Sequence, residues 1–194
     1  MLMTGVILCG GESRRMGQNK AFIEIRGERI IDRTVSLFKK LFDDVLLVTN
    51  SPLDYQDLGV RMVTDLVPKK GSLGGIYTGL FFSSSPKAFF VGCDMPFLDK
   101  QVVRFFVDLA EEADLVVYRS EQYWEPLHAV YSRKCLKPIE RLMAQGDFTI
   151  IKAYKGMKVR EVTSGELIPI DPELHSLLNI NTPDDLKRVL SSLR

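Results

Sequence analysis

Apolar and polar positions along the 194 residues fall into two rhythms. Residues 5–9 (GVILC) form an unbroken apolar run that ends in glycines, which predicts a buried parallel strand followed by a tight loop. Similar short runs at 45–49, 60–64, 88–91, 115–118, 127–132 and 159–162 predict further strands. Between them the spacing becomes helical. Ile31, Val35, Phe38 and Leu41 predict an amphipathic helix over 30–41. Helices are also expected at roughly 74–83, at 100–112 with Val102, Val103, Phe106, Leu109 and Ala110 inward, and at 134–144 with Pro138 near its start. Residues 21–25 read as a short extended piece within a loop excursion, and 177–181 as extended. Thr182 as N-cap and Pro183 in the first helical position open a last helix, with Leu186, Val189, Leu190 and Leu193 as its apolar stripe.

Strands alternating with helices imply a three-layer α/β/α, Rossmann-like arrangement around a mostly parallel sheet. Neither a repeat nor a linker interrupts the chain, so residues 1–194 read as a single domain. Ligands in such sheets bind beyond the carboxyl ends of the strands, so the segments that follow strands carry the functional interest.

Charge narrows the partners. Lys and Arg total 26 against 25 Asp and Glu, a net charge of +1, which gives no ground for bulk binding to nucleic acid or to an anionic membrane. Any anion site must be local. The three cysteines, Cys9, Cys93 and Cys135, are odd in number and lack C-x-x-C spacing, which fits buried thiols in a reducing compartment better than disulfides or zinc. The amino terminus lacks a basic region and its apolar run is short for a signal peptide. No segment approaches the ~20 apolar residues that span a bilayer, so the expectation is a cytoplasmic protein.

The segment after the first strand, LCGGESRRMGQNK over 8–20, has the parts of a polyphosphate cradle. Gly10 and Gly11 let backbone N–H groups approach phosphate oxygens, Ser13 adds a donor, and Arg15 and Lys20 add charge. A Walker A loop needs Gly-Lys before Ser or Thr, whereas Asn19-Lys20-Ala21 stands here; the spacing of Gly10, Gly11 and Gly17 also misses the dinucleotide fingerprint.

This loop resembles the signature of the molybdenum cofactor guanylyltransferase family, L-A-G-G-x-S-x-R-M-G-x-D-K, which also marks, with small variations, a wider nucleotidyltransferase group. Cys9 replaces Ala, and Asn19 replaces the usual Asp, removing a charge beside Lys20. Further on, Cys93-Asp94-Met95-Pro96-Phe97 resembles the family's C-D-M-P-F/Y motif, whose Asp holds magnesium; capping of the following helix is the other reading of Asp94. Asp65, before PKKGSLGG, and Asn50 match nucleotide-contacting residues of the family, although Ser72 stands where Pro is usual and Asn50 also suits a plain turn. Gly74, Gly75 and Gly79 serve ligand approach or backbone packing. Pro126, Leu127, Ala129 and Tyr131 match a P-L-x-A-x-Y stretch, beside which Trp124 could flank a flat pterin or simply pack. His128 reads as a polar strand residue rather than an acid–base group, His175 has no recognisable partner, and Lys69 and Lys70 read as solvated charges. Asn179-Ile180-Asn181-Thr182-Pro183-Asp184-Asp185-Leu186 resembles the family's N-x-N-T-P-E-D-L element, which implies that Asn179 and Asn181 lie near the acceptor and the phosphates.

The resemblance covers residues 5 to about 186. It implies a Mg²⁺-dependent transfer of GMP from GTP to the terminal phosphate of molybdopterin, with release of pyrophosphate. Arg15, Lys20 and Asp94 would be the catalytic groups, with Asp94 on the metal. Leu8, Cys9, Gly10, Gly11, Ser13, Lys20, Asn50, Asp65 and Asp94 would form the nucleotide site, and Asn179 and Asn181 the acceptor site. A phosphate nucleophile is already ionised, so no general base is needed. GTP and molybdopterin are the implied partners, with transient contact to proteins that deliver or receive the cofactor left open. A cytidylyl transfer to the same acceptor, another small-molecule nucleotidyl transfer, and a nucleotide-sensing module without turnover are the alternatives.

Overall fold

The computed structural model describes residues 3–10, 19–68 and 70–192. Its elements in chain order are β1 (Thr4–Cys9), β2 (Glu24–Ile25), β3 (Glu28–Arg29), α1 (Ile30–Leu41), β4 (Asp44–Thr49), β5 (Arg61–Val63), α2 (Gly71–Phe82), β6 (Lys87–Gly92), α3 (Lys100–Leu109), β7 (Leu115–Arg119), β8 (Trp124–Ser132), α4 (Leu136–Ala144), β9 (Val159–Val162), α5 (Ser164–Leu167) and α6 (Pro183–Ser192). Seven strands form one sheet in the order β5-β4-β1-β6-β8-β7-β9. β5, β4, β1 and β6 are mutually parallel; β8 runs antiparallel to both β6 and β7, and β9 parallel to β7. The sheet is therefore mostly parallel, as the alternating pattern predicts.

Side-chain alternation along each strand divides the core in two. Ile7 and Cys9 of β1, Leu47, Phe89, Val91, Val116 and Val130 join Ile31, Val35 and Phe38 of α1 and Val102, Val103 and Phe106 of α3 on one face. Val6 and Leu8, Leu46, Val48, Phe90, Val117 and Ala129 join Leu73, Ile76 and Leu80 of α2 and Ile139 of α4 on the other. The strands read as continuous apolar runs because both of their faces are covered.

A smaller third cluster lies off the sheet: Ile23, Ile25 and Ile30 with Ile180 and Val189. Here the predicted extended piece at 21–25 is corrected. A 3₁₀ turn, Lys20–Phe22, precedes a two-stranded hairpin of β2 and β3. Its turn residues, Arg26 (φ 56°) and Gly27 (φ 78°), are both left-handed, as a type I′ hairpin turn requires. α6 therefore packs against the hairpin that follows Lys20.

Other boundaries shift for identifiable reasons. α2 starts at Gly71 rather than near 74, and α3 stops at Leu109. Asp99 caps α3 by accepting from the Gln101 and Val102 amides at 2.6 and 3.3 Å. β8 begins at Trp124, before Pro126, because the strand bulges: Val117 pairs with Ala129 but the next residue, Tyr118, pairs with Glu125. A 3₁₀ turn, Arg133–Cys135, leads into α4 and places Pro138 in the first helical turn, where its missing N–H costs nothing. Part of the predicted extended stretch at 177–181 is instead a 3₁₀ turn, His175–Leu177. The 3₁₀ turns Pro52–Leu58 and Ile150–Tyr154, and α5, have no counterpart in the sequence reading. They are too short to develop a period.

Candidate active site at the carboxyl edge of the sheet

The parallel register brings the ends of β1 and β6 side by side. Leu8 pairs with Gly92, and the Cys93 amide donates to the Leu8 carbonyl at 3.1 Å. Asp94 follows directly after Cys93. A Cβ on Gly92 would sit 2.6 Å from Asp94 Oδ1, so glycine at 92 leaves the room that this carboxylate occupies. The Asp94 carbonyl accepts the Ile180 amide at 2.9 Å, which ties the segment before α6 to the same edge.

Lys20 arrives from the other side. Its turn is capped by Asn19, whose Oδ1 accepts the Ala21 amide at 3.1 Å while Nδ2 donates to the Tyr55 hydroxyl at 2.8 Å. An aspartate could make the first bond but not donate the second, so the Asn that departs from the family pattern has a specific job here. The Lys20 ammonium donates to Asp94 Oδ2 at 3.1 Å and to Asn181 Oδ1 at 2.7 Å. Lys20, Asp94 and Asn181 thus meet at one point, although 74 and 161 residues separate Lys20 from its two partners. Asn181 is held by the cap of α6. Asp185 Oδ2 accepts the Asn181 and Thr182 amides at 3.0 and 2.8 Å, and Thr182 Oγ1 accepts the Asp185 amide at 3.1 Å.

Asn179 makes a different contact. Its Nδ2 donates to Glu125 Oε2 at 2.8 Å, and Glu125 Oε1 accepts the Leu127 amide at 3.1 Å across the bulge of β8. Glu125 is 8% exposed; burial pushes its carboxyl upward and the Asp94 charge adds to this, against the pull of its two donors.

Asn50 and Asp65 end β4 and β5 on the far side of β1 and are bonded to each other: the Asp65 amide donates to Asn50 Oδ1 at 3.2 Å. Asp65 Oδ1 accepts from Thr78 Oγ1 at 2.8 Å and from the Val67 amide at 3.1 Å. Both residues lie on the edge predicted to bind nucleotide, and both also brace the loop against α2. Gly74, Gly75 and Gly79 resolve toward packing. Added Cβ atoms would come within 2.9 Å of the Val67 carbonyl, 3.3 Å of Leu8 and 2.6 Å of Phe90 respectively.

Gly11, Ser13, Arg15 and Gly17, and also Lys69, lie outside the described residues. Leu8 and Cys9 are buried, and Gly10 is exposed at the mouth of the edge. The Cys9 thiol lies against Cys93 and Tyr55, and burial raises it well above its ordinary range, as inert core thiols require. Sequence reasoning singled out neither Tyr55 nor Glu125. The only signal for Glu125 is a carboxylate immediately before the matched P-L stretch, and Tyr55 sits in a turn without a period.

Four other expectations settle. His128 is a strand residue of β8, as expected, and its ring lies in the core: fully buried, edge-on to Phe89 and Phe106, with neither ring nitrogen hydrogen-bonded among the described residues, and lowered by burial to about 4. Trp124 packs edge-on against Tyr154 at 5.4 Å under the Arg119 guanidinium at 4.8 Å. His175 packs against Phe97 at 5.6 Å with the rings tilted by 43°, and Lys70 lies 4.4 Å above the Phe148 ring rather than being simply solvated.

Among the described residues no three His, Cys, Asp or Glu side chains converge as a self-sufficient metal cage. Asp94 and Asn181 instead present two hard oxygens that already share one cation, the Lys20 ammonium. That donor set suits a divalent ion completed by substrate oxygens.

The family model described as the MobA-like NTP transferase domain matches residues 5–159. A molybdenum cofactor guanylyltransferase from Desulfosudis oleivorans is 40% identical over 194 residues, covering 99% of this chain and 96% of its own. A probable molybdenum cofactor guanylyltransferase from Pelotomaculum thermopropionicum is 36% identical over 94% of this chain and 89% of its own. The crystal structure of molybdopterin-guanine dinucleotide biosynthesis protein A from Archaeoglobus fulgidus superposes with a TM-score of 0.84 at 27% identity, covering 98% of each chain. A family model that matches most of the chain and a relative 40% identical over nearly its full length place the chain in the MobA-like NTP transferase family.

Proposed function

We propose that this nucleotidyltransferase moves GMP from GTP to the terminal phosphate of molybdopterin, in the cytoplasm, forming the guanine dinucleotide and pyrophosphate. One observation carries the reading: a lysine from the glycine loop, an aspartate after β6 and an asparagine before α6 share one cation position at the carboxyl edge of the sheet.

Asp94 and Asn181 would hold Mg²⁺, which neutralises charge on the triphosphate and on the leaving pyrophosphate. Lys20 would exchange its two protein acceptors for phosphate oxygens, keeping one positive charge beside the reacting phosphorus. The exposed Gly10 backbone, with Gly11, Ser13 and Arg15, would cradle the triphosphate. Leu8 and Cys9, which lead into that loop, would offer backbone to the base, and Asn50 and Asp65 would contact the nucleotide. Asn179 and Asn181 would meet the acceptor. The acceptor phosphate attacks in line without deprotonation, so positioning and charge neutralisation supply the rate. His128, sealed in the core, has no part in it.

The test is pyrophosphate release from GTP with Mg²⁺ and molybdopterin. Release that is faster with CTP than with GTP would move the enzyme to cytidylyl transfer. Binding of GTP without any release would make the chain a sensor.

A further inference from the structure

Asn179 lies in an irregular segment whose neighbours are anchored on both sides: Ile180 is fully buried and bonds the Asp94 carbonyl, and Asn181 holds Lys20. A carboxamide carries a donor end and an acceptor end, and the two are almost the same shape. Which end faces a substrate therefore depends on what the protein does with the other. Among the described residues the protein supplies only acceptors to Asn179: Glu125 Oε2 at 2.8 Å and, more distantly, the Leu177 carbonyl at 3.5 Å. The second oxygen of Glu125 is committed to the Leu127 amide in the β8 bulge, so the carboxylate cannot rotate away without losing that bond.

We propose that Glu125 is a positioning residue: it fixes the Asn179 amide with its nitrogen turned to the protein, leaving the Asn179 carbonyl oxygen to accept from an N–H or O–H donor on the acceptor substrate. The assignment rests on the reading of Asn179 as an acceptor-site residue. It adds the polarity of the recognition and the residue that sets it. Glu125 touches neither substrate. It discriminates by orientation, because a group presenting a lone pair to Asn179 would face another lone pair. Pairing a buried polar group wrongly is what makes such sites selective.

A charge swap tests this. In Glu125→Gln, the new amide keeps the Leu127 bond through its oxygen and presents N–H₂ to Asn179, so Asn179 turns over and offers its nitrogen to the acceptor. The KM for the acceptor is expected to rise about tenfold, with the KM for GTP unchanged. Asn179→Asp alone sets two carboxylates against each other and gives a similar acceptor defect, and Asn179→Ala gives it without any charge. In the double variant Glu125→Gln/Asn179→Asp the glutamine nitrogen donates to the aspartate, whose second oxygen again faces the substrate. Its acceptor KM is expected to return to within about threefold of wild type. Trp124, the sole tryptophan and the neighbour of Glu125, gives a fluorescence titration of acceptor binding that does not depend on turnover. Single variants that match wild type, a GTP KM that rises together with the acceptor KM, or a double variant worse than both singles would each overturn the assignment. A wild-type chain that releases no pyrophosphate with the acceptor present fails at the earlier step, the functional reading itself.

Discussion

At the residue scale, the junction at Lys20 makes the sharpest statements. Asp94→Ala removes one of two oxygens around the cation position while leaving the backbone bonds through Cys93 and Ile180 in place. Turnover is expected to fall at least about 100-fold with an unchanged thermal midpoint, and unchanged turnover would remove Asp94 from the mechanism. Lys20→Ala is expected to weaken GTP binding about tenfold and guanosine binding hardly at all, read by calorimetry with both ligands. Equal losses would mean that Lys20 does not meet phosphate. His128 governs a different property. Burial lowers it to about 4 from an unfolded value near 6.5, so between those values the unfolded chain binds the extra proton. Its contribution, about 3 kcal/mol, is present above pH 6.5 and is lost as the pH falls toward 4. His128→Phe keeps the edge-on ring contacts and should shrink the loss of urea resistance between pH 7.5 and 4.5. An identical loss in the variant would refute this account.

At the scale of elements, the Tyr55 hydroxyl ties the 52–58 turn to the turn that carries Lys20. Tyr55→Phe leaves Asn19 Nδ2 without its acceptor and loosens the turn that carries Lys20. A several-fold fall in kcat/KM for GTP is expected, with a stability loss of about 1 kcal/mol, measured by steady-state kinetics and denaturant melts. A loss of stability alone would show that Tyr55 does not align the loop. The same scale shows what could be read from the chain. The residues of β1, β4, β6 and β7 form apolar runs, and α1 and α3 have one apolar stripe, so their existence was legible. The β8 start at Trp124 was not, because Pro126 reads as a break and only pairing with β7 tolerates it through a bulge. The hairpin of β2 and β3 has two residues per strand, which is shorter than the window in which a period of two can be recognised.

For the whole molecule, the cluster of Ile23, Ile25, Ile30, Ile180 and Val189 holds the terminal helix to the hairpin. Ile180→Ala is expected to cost about 2–4 kcal/mol and to lower activity by more than its effect on the folded fraction, since it anchors Asn179, Asn181 and the Asp94 carbonyl bond at once. Circular dichroism melts alongside pyrophosphate release would separate the two effects, and activity tracking the folded fraction alone would argue against the anchoring role.

What the chain determined by itself was local: which stretches could bury apolar runs, where glycines opened loops at strand ends, and which order of motifs marked the family. Asp94, Lys20, Asn179 and Asn181 were legible for that reason, as residues in punctuated segments after strands or before a helix. The meeting of Asp94 and Asn181 at the Lys20 ammonium, the Glu125 carboxylate behind Asn179, the Tyr55 hydroxyl behind Asn19 and the burial of His128 were decided only by the tertiary structure. Each depends on contacts between segments tens of residues apart, and a hydrogen bond or a buried ring across such a distance leaves no periodic trace in the sequence.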